Sequence, residues 1–303
     1  MLNESTPLTY LKTEGATITP NGALFKTDSE GFLPKLLGKM YNDRVYYKKK
    51  MLEAKRKYNK TKEPELVKEI SRCHNIQWAK KIALNSAYGA IGNQYFRYYD
   101  VRQASGITTA GQFIIRFIED KMNEYLNKVL QTQGKKDYIV ASDTDSIYVR
   151  FGKLVEKTCQ GKSTEQIVDF LNKVCEQKLE PYIAKCFDEL ADYSNAFKNA
   201  MVMKREVIAN KGIWVAKKRY MLNVLDEEGV RLADPKLKLM GIEAVKSSTP
   251  QVCRGKIKDA IKIIMGKTIS DFINRPSFHF LISLSSSNKI SNLSFKSSSL
   301  NSD

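Results

Sequence analysis

Two carboxylates stand two residues apart in the run Ser142, Asp143, Thr144, Asp145 and Ser146. Apolar residues of high β-propensity flank this run on both sides, which predicts a hairpin with an acidic turn. Because side chains two apart on a strand point to the same side, Asp143 and Asp145 can approach one region of space. A hard divalent cation relieves the repulsion between such carboxylates, so the turn is a candidate metal site. An ordinary aspartate-rich hairpin turn is the alternative interpretation, because the motif is short.

Cations and an amide follow one face of a helix that we predict to end near Tyr88. Lys81 and Asn85 are one helical turn apart, and Tyr88 follows on nearly the same face. On the preceding predicted helix, Arg44 and Lys48 have the same one-turn spacing. If the two helices are antiparallel, these groups can face one site and bind a triphosphate, with lysine as a point charge and arginine as a fork. A solvated basic face is the alternative.

A third cluster is the run Lys217, Lys218, Arg219 and Tyr220. We place it in the returning strand of a hairpin whose turn is predicted at residues 210–212. Strand alternation would put Lys217 and Arg219 on one face. A strand edge with lysine and arginine can bind a phosphate backbone, although exposed charged strands are also common at sheet edges.

The rest of the chain supplies the elements that must position these groups. Turn signals predict loops over residues 1–34, and between residues 35 and 62 there are eleven Lys/Arg against two acidic residues. We expect this basic segment to form a helical hairpin with the helix that follows it. Further helices are predicted at about residues 108–130, 164–190 and 249–265. Residues 283–303 contain ten serines, and this composition predicts a disordered tail.

Composition narrows the class of protein. The chain has 303 residues and a formal net charge of +17, which favours a polyanionic partner, nucleic acid before others. A basic protein without such a partner is the alternative. Five cysteines without a CxxC pair predict reduced thiols in an intracellular protein. We expect no signal peptide, because residues 1–5 have no basic region followed by an apolar run. We expect no membrane span, because no apolar stretch reaches about 20 residues.

Four runs in a fixed order carry a family resemblance: KKIALNSAYGAIGN, SDTDSIYV, KKRY and KLKLMGIEAVKSSTP. Together they resemble family B DNA polymerases, most closely the replicative polymerases of large tailed bacteriophages, over about residues 17–267. The resemblance implies an α/β (α+β) fold, with an antiparallel palm sheet, packed helices and a helical-hairpin fingers subdomain. It divides the chain into a palm-linked segment at 1–34, fingers at 35–92, palm at 93–267 and a tail at 268–303 in place of the thumb.

The resemblance also assigns roles to individual residues. Asp143 and Asp145 match the palm carboxylates that bind Mg²⁺, and with Lys81 they form the implied catalytic group. The implied nucleotide-binding residues are Arg44, Lys48, Lys81, Asn85 and Tyr88. The implied DNA-binding residues are Gly89, Lys217, Lys218, Arg219, Tyr220 and Lys238.

One expected motif of the family, an aspartate followed by an SLYP-like run, is not found in residues 1–34. Because two-metal phosphoryl transfer needs carboxylates from both palm motifs, we expect a separate amino-terminal polymerase chain to supply the second carboxylate and the exonuclease. The expected function is the carboxy-terminal part of a DNA-directed DNA polymerase. The expected partners are primer-template DNA and deoxynucleoside triphosphates, with a sliding clamp and replisome proteins, in the host cell cytoplasm. The alternatives are an inactive DNA-binding remnant and a truncated gene product.

Overall fold

The computed structural model describes residues 7–132, 136–266 and 281–286. The chain divides into two compact units. We call Met1–Lys121 with Pro181–Met203 and Ser286–Asp303 the helical unit, and Met122–Glu180 with Lys204–Ser285 the sheet unit. Helices and an antiparallel sheet together confirm the predicted α+β fold. The predicted boundaries of palm, fingers and tail stay predictions.

The helical unit begins with regular structure where the sequence predicted loops. α1 covers Tyr10–Thr13, and a short hairpin is formed by β1 (Ala16–Ile18) and β2 (Leu24–Lys26). The Asn195 side-chain amide donates hydrogen bonds to the carbonyls of Leu11 and Ala16, at 3.1 and 2.9 Å. The turn signals were correct, because a turn joins the two strands. The strands themselves were not predicted, because three residues are too few to show a periodic pattern.

Two long helices form the predicted hairpin: α2 covers Phe32–Thr61 and α3 covers Pro64–Ile91. Two ion pairs connect them, Lys50 with Glu69 at 3.3 Å and Lys80 with Asp43 at 2.8 Å. The residue numbers of the partners rise on one helix as they fall on the other, so the helices are antiparallel. α3 was predicted to end near Tyr88, at Gly89 and Gly92. It continues through Gly89 to Ile91, and Gly92 is its C-cap.

The next helix starts earlier than predicted. α4 covers Val101–Val129, whereas the sequence pattern placed its start near Thr108. Asp100 accounts for the difference: its carboxylate accepts a hydrogen bond from the backbone N–H of Arg102 at 2.9 Å, and its carbonyl accepts one from the N–H of Ala104 at 3.1 Å. This side chain caps the helix start, as aspartate commonly does.

One six-stranded sheet is the core of the sheet unit. Its strands are β3 (Ile139–Asp143), β4 (Ser146–Arg150), β5 (Met203–Ala216), β6 (Arg219–Glu227), β7 (Val230–Met240) and β8 (Leu281–Ser286). They lie in the order β3-β4-β8-β5-β6-β7. The β3-β4 hairpin and the three-stranded β5-β6-β7 meander are antiparallel. The same unit contains the helices α5 (Gly152–Thr158), α6 (Thr164–Val174) and α8 (Gln251–Gly266). The helix predicted at 164–190 is interrupted by a π-helical turn at Cys175–Leu179 before α7 (Glu180–Tyr193).

The turn between β5 and β6 is not where the sequence predicted it. Residues 210–212 lie inside β5, which bulges between Ala209 and Lys211 and continues to Ala216. Gly212 is required there by packing, because a Cβ at this position would lie 2.5 Å from Leu281. The glycine therefore permits a close approach inside a strand, and it does not mark a turn.

The predicted disordered tail contains an ordered strand. β8 pairs antiparallel with β4, and Ile282 and Leu284 are fully buried. The expectation of disorder is therefore wrong for residues 281–286, whose alternating apolar residues fit a strand. The remaining residues of the predicted tail, 268–280 and 287–303, lie outside the described residues.

A buried ion pair stabilises the sheet unit. The side chains of Arg205 on β5 and Asp226 on β6 form it, and each is 5% exposed. Asp226 also accepts the N–H of Gly229 at 3.0 Å, and Arg205 donates to the Asn172 side chain at 2.7 Å. The pair therefore connects two strands with helix α6.

We expect Asp226→Ala to lower the free energy of unfolding by about 3–5 kcal/mol, because it leaves the Arg205 guanidinium buried without its counter-ion. Asp169→Ala is the matched control, since Asp169 also pairs with an arginine, Arg231 at 2.7 Å, but its side chain is 66% exposed. The control should cost about 1 kcal/mol or less. Urea unfolding of both variants measures the difference, and equal losses would contradict the importance of the buried pair.

Candidate functional site

The acidic turn joins β3 to β4 in the sheet unit. Asp143 is the last residue of β3 and pairs with Ser146, the first residue of β4. Thr144 and Asp145 form the two-residue turn, and Thr144 has the left-handed φ of 54° that such tight hairpins require. Because Asp145 lies in the turn, strand alternation does not apply to it. The turn itself brings both half-buried carboxylates to one end of the hairpin.

A basic turn lies beside the acidic one. Lys217 and Lys218 connect β5 to β6 and are exposed, and Lys218 has a left-handed φ of 61°. The Lys218 Nζ is 3.6 Å from Oδ1 of Asp143. The prediction that the whole run from Lys217 to Tyr220 lies within one strand is wrong, because β6 begins only at Arg219. The structure nevertheless brings together two motifs that are distant in the sequence.

Three aromatic residues lie beneath the two turns. The hydroxyl of Tyr148 on β4 donates to the hydroxyl of Tyr220 on β6 at 2.7 Å. Trp214 on β5 contacts both rings, with centroid distances of 5.3 and 5.9 Å. Burial, followed by the hydrogen bond with Tyr148, raises the pKa of Tyr220 above its ordinary value. The buried phenol therefore stays neutral and connects the strand after the acidic turn to the strand after the basic turn.

Sequence reasoning missed the roles of Tyr148 and Trp214. It gave Tyr220 a direct contact with DNA, whereas the structure places this side chain in the core at 5% exposure. Strand alternation indicates that Tyr148 points to the opposite face of the sheet from Ile147 and Val149. It does not indicate the hydrogen bond to Tyr220, because that partner is 72 residues away in the sequence.

Two further predicted DNA-binding cations already have acidic partners. Arg219 forms an ion pair with Glu243, and Lys238 contacts Glu206 at 3.2 Å. Glu243 also contacts Lys246 at 3.1 Å. Its own backbone N–H and then the Lys246 ammonium lower the pKa of Glu243, so the carboxylate is charged at neutral pH. These pairs reduce the positive charge that Arg219 and Lys238 can offer to a phosphate backbone.

Gly241 supports the basic turn from the end of β7. It has a φ of +63°, and a Cβ at this position would lie 2.3 Å from the backbone oxygen of Lys218. Both the left-handed conformation and the close approach require glycine. Sequence reasoning included this residue only as part of a motif, although the glycine directly after an 11-residue strand is the local signal of such a turn.

The helical unit carries the predicted nucleotide-binding residues. Lys81 and Asn85 lie on α3, and Arg44 and Lys48 lie on α2. Because Lys80 pairs with Asp43, their sequence neighbours Lys81 and Arg44 lie at the same level of the hairpin.

Arg44, Tyr88 and Gly89 of the helical unit have different surroundings. Among the described residues, the Nε of Arg44 has no hydrogen-bond partner but is itself buried, so this particular donor is not open to a ligand in the conformation described. Tyr88 packs against a small apolar cluster that includes Ile91, Ala104 and Ile107. It therefore has a packing role, and its role in nucleotide binding stays a prediction. Gly89 is exposed, and a Cβ there would meet nothing within 4 Å, so local packing does not explain the glycine.

Metal ligands, cysteines and membrane spans were all addressed by the sequence. The described part of the chain contains no group of three or more His, Cys, Asp or Glu residues arranged to hold a metal ion. Asp143 and Asp145 are hard oxygen ligands of the kind that Mg²⁺ prefers, but alone they are an incomplete ligand set. All five cysteines are described, and they are free thiols. Within the described ranges, no helix has the length and apolar character needed to span a membrane.

We expect Gly241→Ala to reduce stability more than Gly161→Ala. Both glycines have a left-handed φ, but a Cβ on Gly161 would meet nothing within 4 Å. The control should cost about 1–2 kcal/mol from backbone strain, whereas the clash with Lys218 should add about 1–3 kcal/mol. Urea unfolding of the two variants measures the difference. Equal losses would show that the basic turn does not depend on this close approach.

Comparison with known proteins agrees with the geometry. The sequence matches the family described as DNA polymerase family B over residues 3–295. It is 38% identical over 295 residues to the DNA-directed DNA polymerase of Escherichia phage RB69, covering 80% of this chain and 33% of that protein. The corresponding enzyme of Enterobacteria phage T4 is 37% identical over 298 residues, covering 82% of this chain and 33% of that protein. DNA polymerase 1 of Pyrococcus abyssi is 26% identical over 256 residues, covering 80% and 27%. The chain thus spans about a third of the length of its phage relatives, and it belongs to DNA polymerase family B.

Proposed function

We propose that the chain carries part of the active site of a DNA-directed DNA polymerase, which adds deoxynucleotides to a primer 3′ end under the direction of a template. One observation carries the proposal: an acidic turn and a basic turn lie side by side, with Lys218 Nζ 3.6 Å from Asp143. Carboxylates suit the metal that phosphoryl transfer needs, and exposed lysines suit a phosphate backbone. Membership in DNA polymerase family B supports the assignment.

Asp143 and Asp145 would hold Mg²⁺ in this proposal. Their donor set fits, because both are half-buried carboxylates at one turn and carboxylate oxygens are the ligands that Mg²⁺ prefers. Bound there, Mg²⁺ would activate the primer hydroxyl and neutralise charge on the triphosphate. The remaining oxygen ligands would come from the family's other palm motif, an aspartate before an SLYP-like run, outside these 303 residues.

The residues on α2 and α3 would bind the incoming deoxynucleoside triphosphate. Lys81 offers a compact ammonium, and Arg44 offers a planar guanidinium of the kind that suits phosphate oxygens. Lys48 and Asn85 would add charge and hydrogen bonds. In this proposal Lys81 also neutralises or protonates the leaving pyrophosphate. Tyr88 and Gly89 would lie beside the nascent base pair.

Lys217 and Lys218 would bind the phosphate backbone of primer-template DNA. Both are exposed, unlike Tyr220, and so they are the strongest candidates of the KKRY run for direct contact. Arg219, Tyr220 and Lys238 would position this surface through their partners within the protein. The proposal also includes a separate amino-terminal chain, a sliding clamp and replisome proteins as partners. The phage origin of two relatives is the reason for placing it in a host cell cytoplasm.

A second candidate function is DNA binding without catalysis. It is favoured by the absence of a three-ligand metal cluster from the described residues. The two candidates differ in one measurable property: a DNA-binding remnant would bind primed template but would not support extension with any partner chain.

We expect primer extension when this chain is mixed with a partner chain made from the part of the RB69 relative that lies outside the aligned region. Neither chain should extend the primer alone. Asp145→Ala should lower the rate by about 100-fold or more, because several kcal/mol of metal-dependent stabilisation is lost. Asp259→Ala is the control, since this carboxylate on α8 is 67% exposed and lies outside the acidic turn. Extension by the Asp145 variant at the control rate, or no extension by any mixture that retains DNA binding, would sink the polymerase proposal.

A further inference from the structure

An exposed tryptophan lies beside Lys81 on α3. Trp78 is 49% exposed, and the Nζ of Lys81 lies 4.9 Å from the centroid of its ring. His74, one turn earlier, stacks on Trp78 with an interplanar angle of 16° and a centroid distance of 6.1 Å. The 4.9 Å between the Lys81 ammonium and the Trp78 ring, and the two residue types, are those of a cation–π contact.

Helix packing does not account for the position of Trp78. The buried residues of α3 are Cys73, Gln77, Leu84 and Ile91, and Trp78 is outside this set. A tryptophan that is half-exposed on a helix surface loses much of the hydrophobic stabilisation that its size could provide. A role in contact with its polar neighbour is therefore the better explanation.

Trp78 also lies on the face that carries the predicted nucleotide-binding residues. His74, Trp78, Lys81 and Asn85 are spaced by four, three and four residues, so they form one stripe along the helix. Lys81 is half-buried although it is charged, which is consistent with an aliphatic stem that lies along apolar surface while the ammonium points outward.

We propose that Trp78 is a positioning residue for Lys81, whose ammonium it holds in one orientation for the phosphates of a deoxynucleoside triphosphate. A lysine side chain loses rotamer freedom when it binds a ligand, and a prior contact with the ring reduces that loss. The inference deepens the proposed function and rests on it. It adds a residue that acts through Lys81 and does not itself contact the reacting atoms.

The same hairpin offers a matched control. Lys62 Nζ lies 5.4 Å from the ring centroid of Tyr58, near the end of α2. This contact has the same chemistry, but neither residue belongs to the predicted nucleotide-binding group. Removing the Tyr58 ring therefore tests whether loss of any cation–π contact in the hairpin affects nucleotide binding.

The experiment titrates the full chain with dATP and Mg²⁺ and follows the two indole N–H signals by nuclear magnetic resonance. The chain has two tryptophans, so the exposed Trp78 is read against the half-buried Trp214, with Trp78→Leu and Trp78→Phe assigning the signals. The side-chain variants are also titrated by equilibrium dialysis, which does not need the indole. Circular dichroism confirms that each variant remains helical.

We expect dATP to shift the Trp78 signal more than the Trp214 signal. Trp78→Leu should weaken dATP binding roughly two- to five-fold, as expected for an exposed cation–π contact. Trp78→Phe should retain part of the affinity, and Tyr58→Leu should bind as the unmodified chain does. Because Trp78 acts through Lys81, Trp78→Leu should have no additional effect in the Lys81→Ala background.

The outcomes separate this inference from the proposed function. Full affinity in Trp78→Leu, or an equal loss with and without Lys81, would overturn the positioning role and leave the nucleotide-binding group intact. If the folded chain does not bind dATP, or if Lys81→Ala binds it normally, the assignment of Lys81 to the triphosphate fails and the positioning role fails with it.

Discussion

The hydrogen bond between Tyr148 and Tyr220 is the constraint on which the candidate site depends. It joins the strand that follows the acidic turn to the strand that follows the basic turn, and the 2.7 Å contact is buried. A buried hydrogen bond is costly to leave unmade, so the two strands favour one relative position. That position places Lys218 against Asp143. The strand order β4-β8-β5-β6 places both hairpins in one sheet, and this hydrogen bond adds a side-chain link between them near the two turns.

Charge pairing determines which of the many cations remain available to a ligand. The net charge of +17 gives the chain a general attraction for polyanions, but it does not locate a site. Arg219 pairs with Glu243, Lys238 with Glu206 and Lys80 with Asp43. Such pairs hold the surfaces around the candidate residues in defined positions. Lys218 also has a partner, Asp143, but its side chain is 64% exposed against 39% for Arg219 and 22% for Lys238, so it is better placed than they are to contact a backbone phosphate.

Sequence patterns predicted the long elements well and the short or non-local ones poorly. α2 and α3 were found because apolar residues repeat over many turns and prolines mark the helix starts. The acidic hairpin was found because two strands flank a short polar turn. The prediction of a turn at residues 210–212 was wrong because Gly212 makes room for Leu281, a residue distant in the sequence. β8 was missed because serine-rich composition concealed its short alternating pattern.

The candidate site, too, was predicted only in part, because sequence patterns report local runs and not contacts between distant residues. Charged residues in distinctive runs made Asp143 and Lys217 in the sheet unit, and Lys81 in the helical unit, candidates from the sequence alone, and their roles stay predictions. In the sheet unit, Tyr148 and Gly241 support the two turns through contacts between strands. Their residue types are ordinary for a strand and a turn. Such contacts depend on strand order, which no local pattern specifies.

The central claim is that the acidic and basic turns form one metal-binding and phosphate-binding site. Paramagnetic broadening by substoichiometric Mn²⁺, used in place of Mg²⁺, tests it directly in the full chain. We predict that the amide signals of Thr144, Asp145 and Lys218 broaden together, and that Asp145→Asn abolishes the effect. Broadening that omits these turns, or that persists unchanged in the Asp145 variant, would contradict the account.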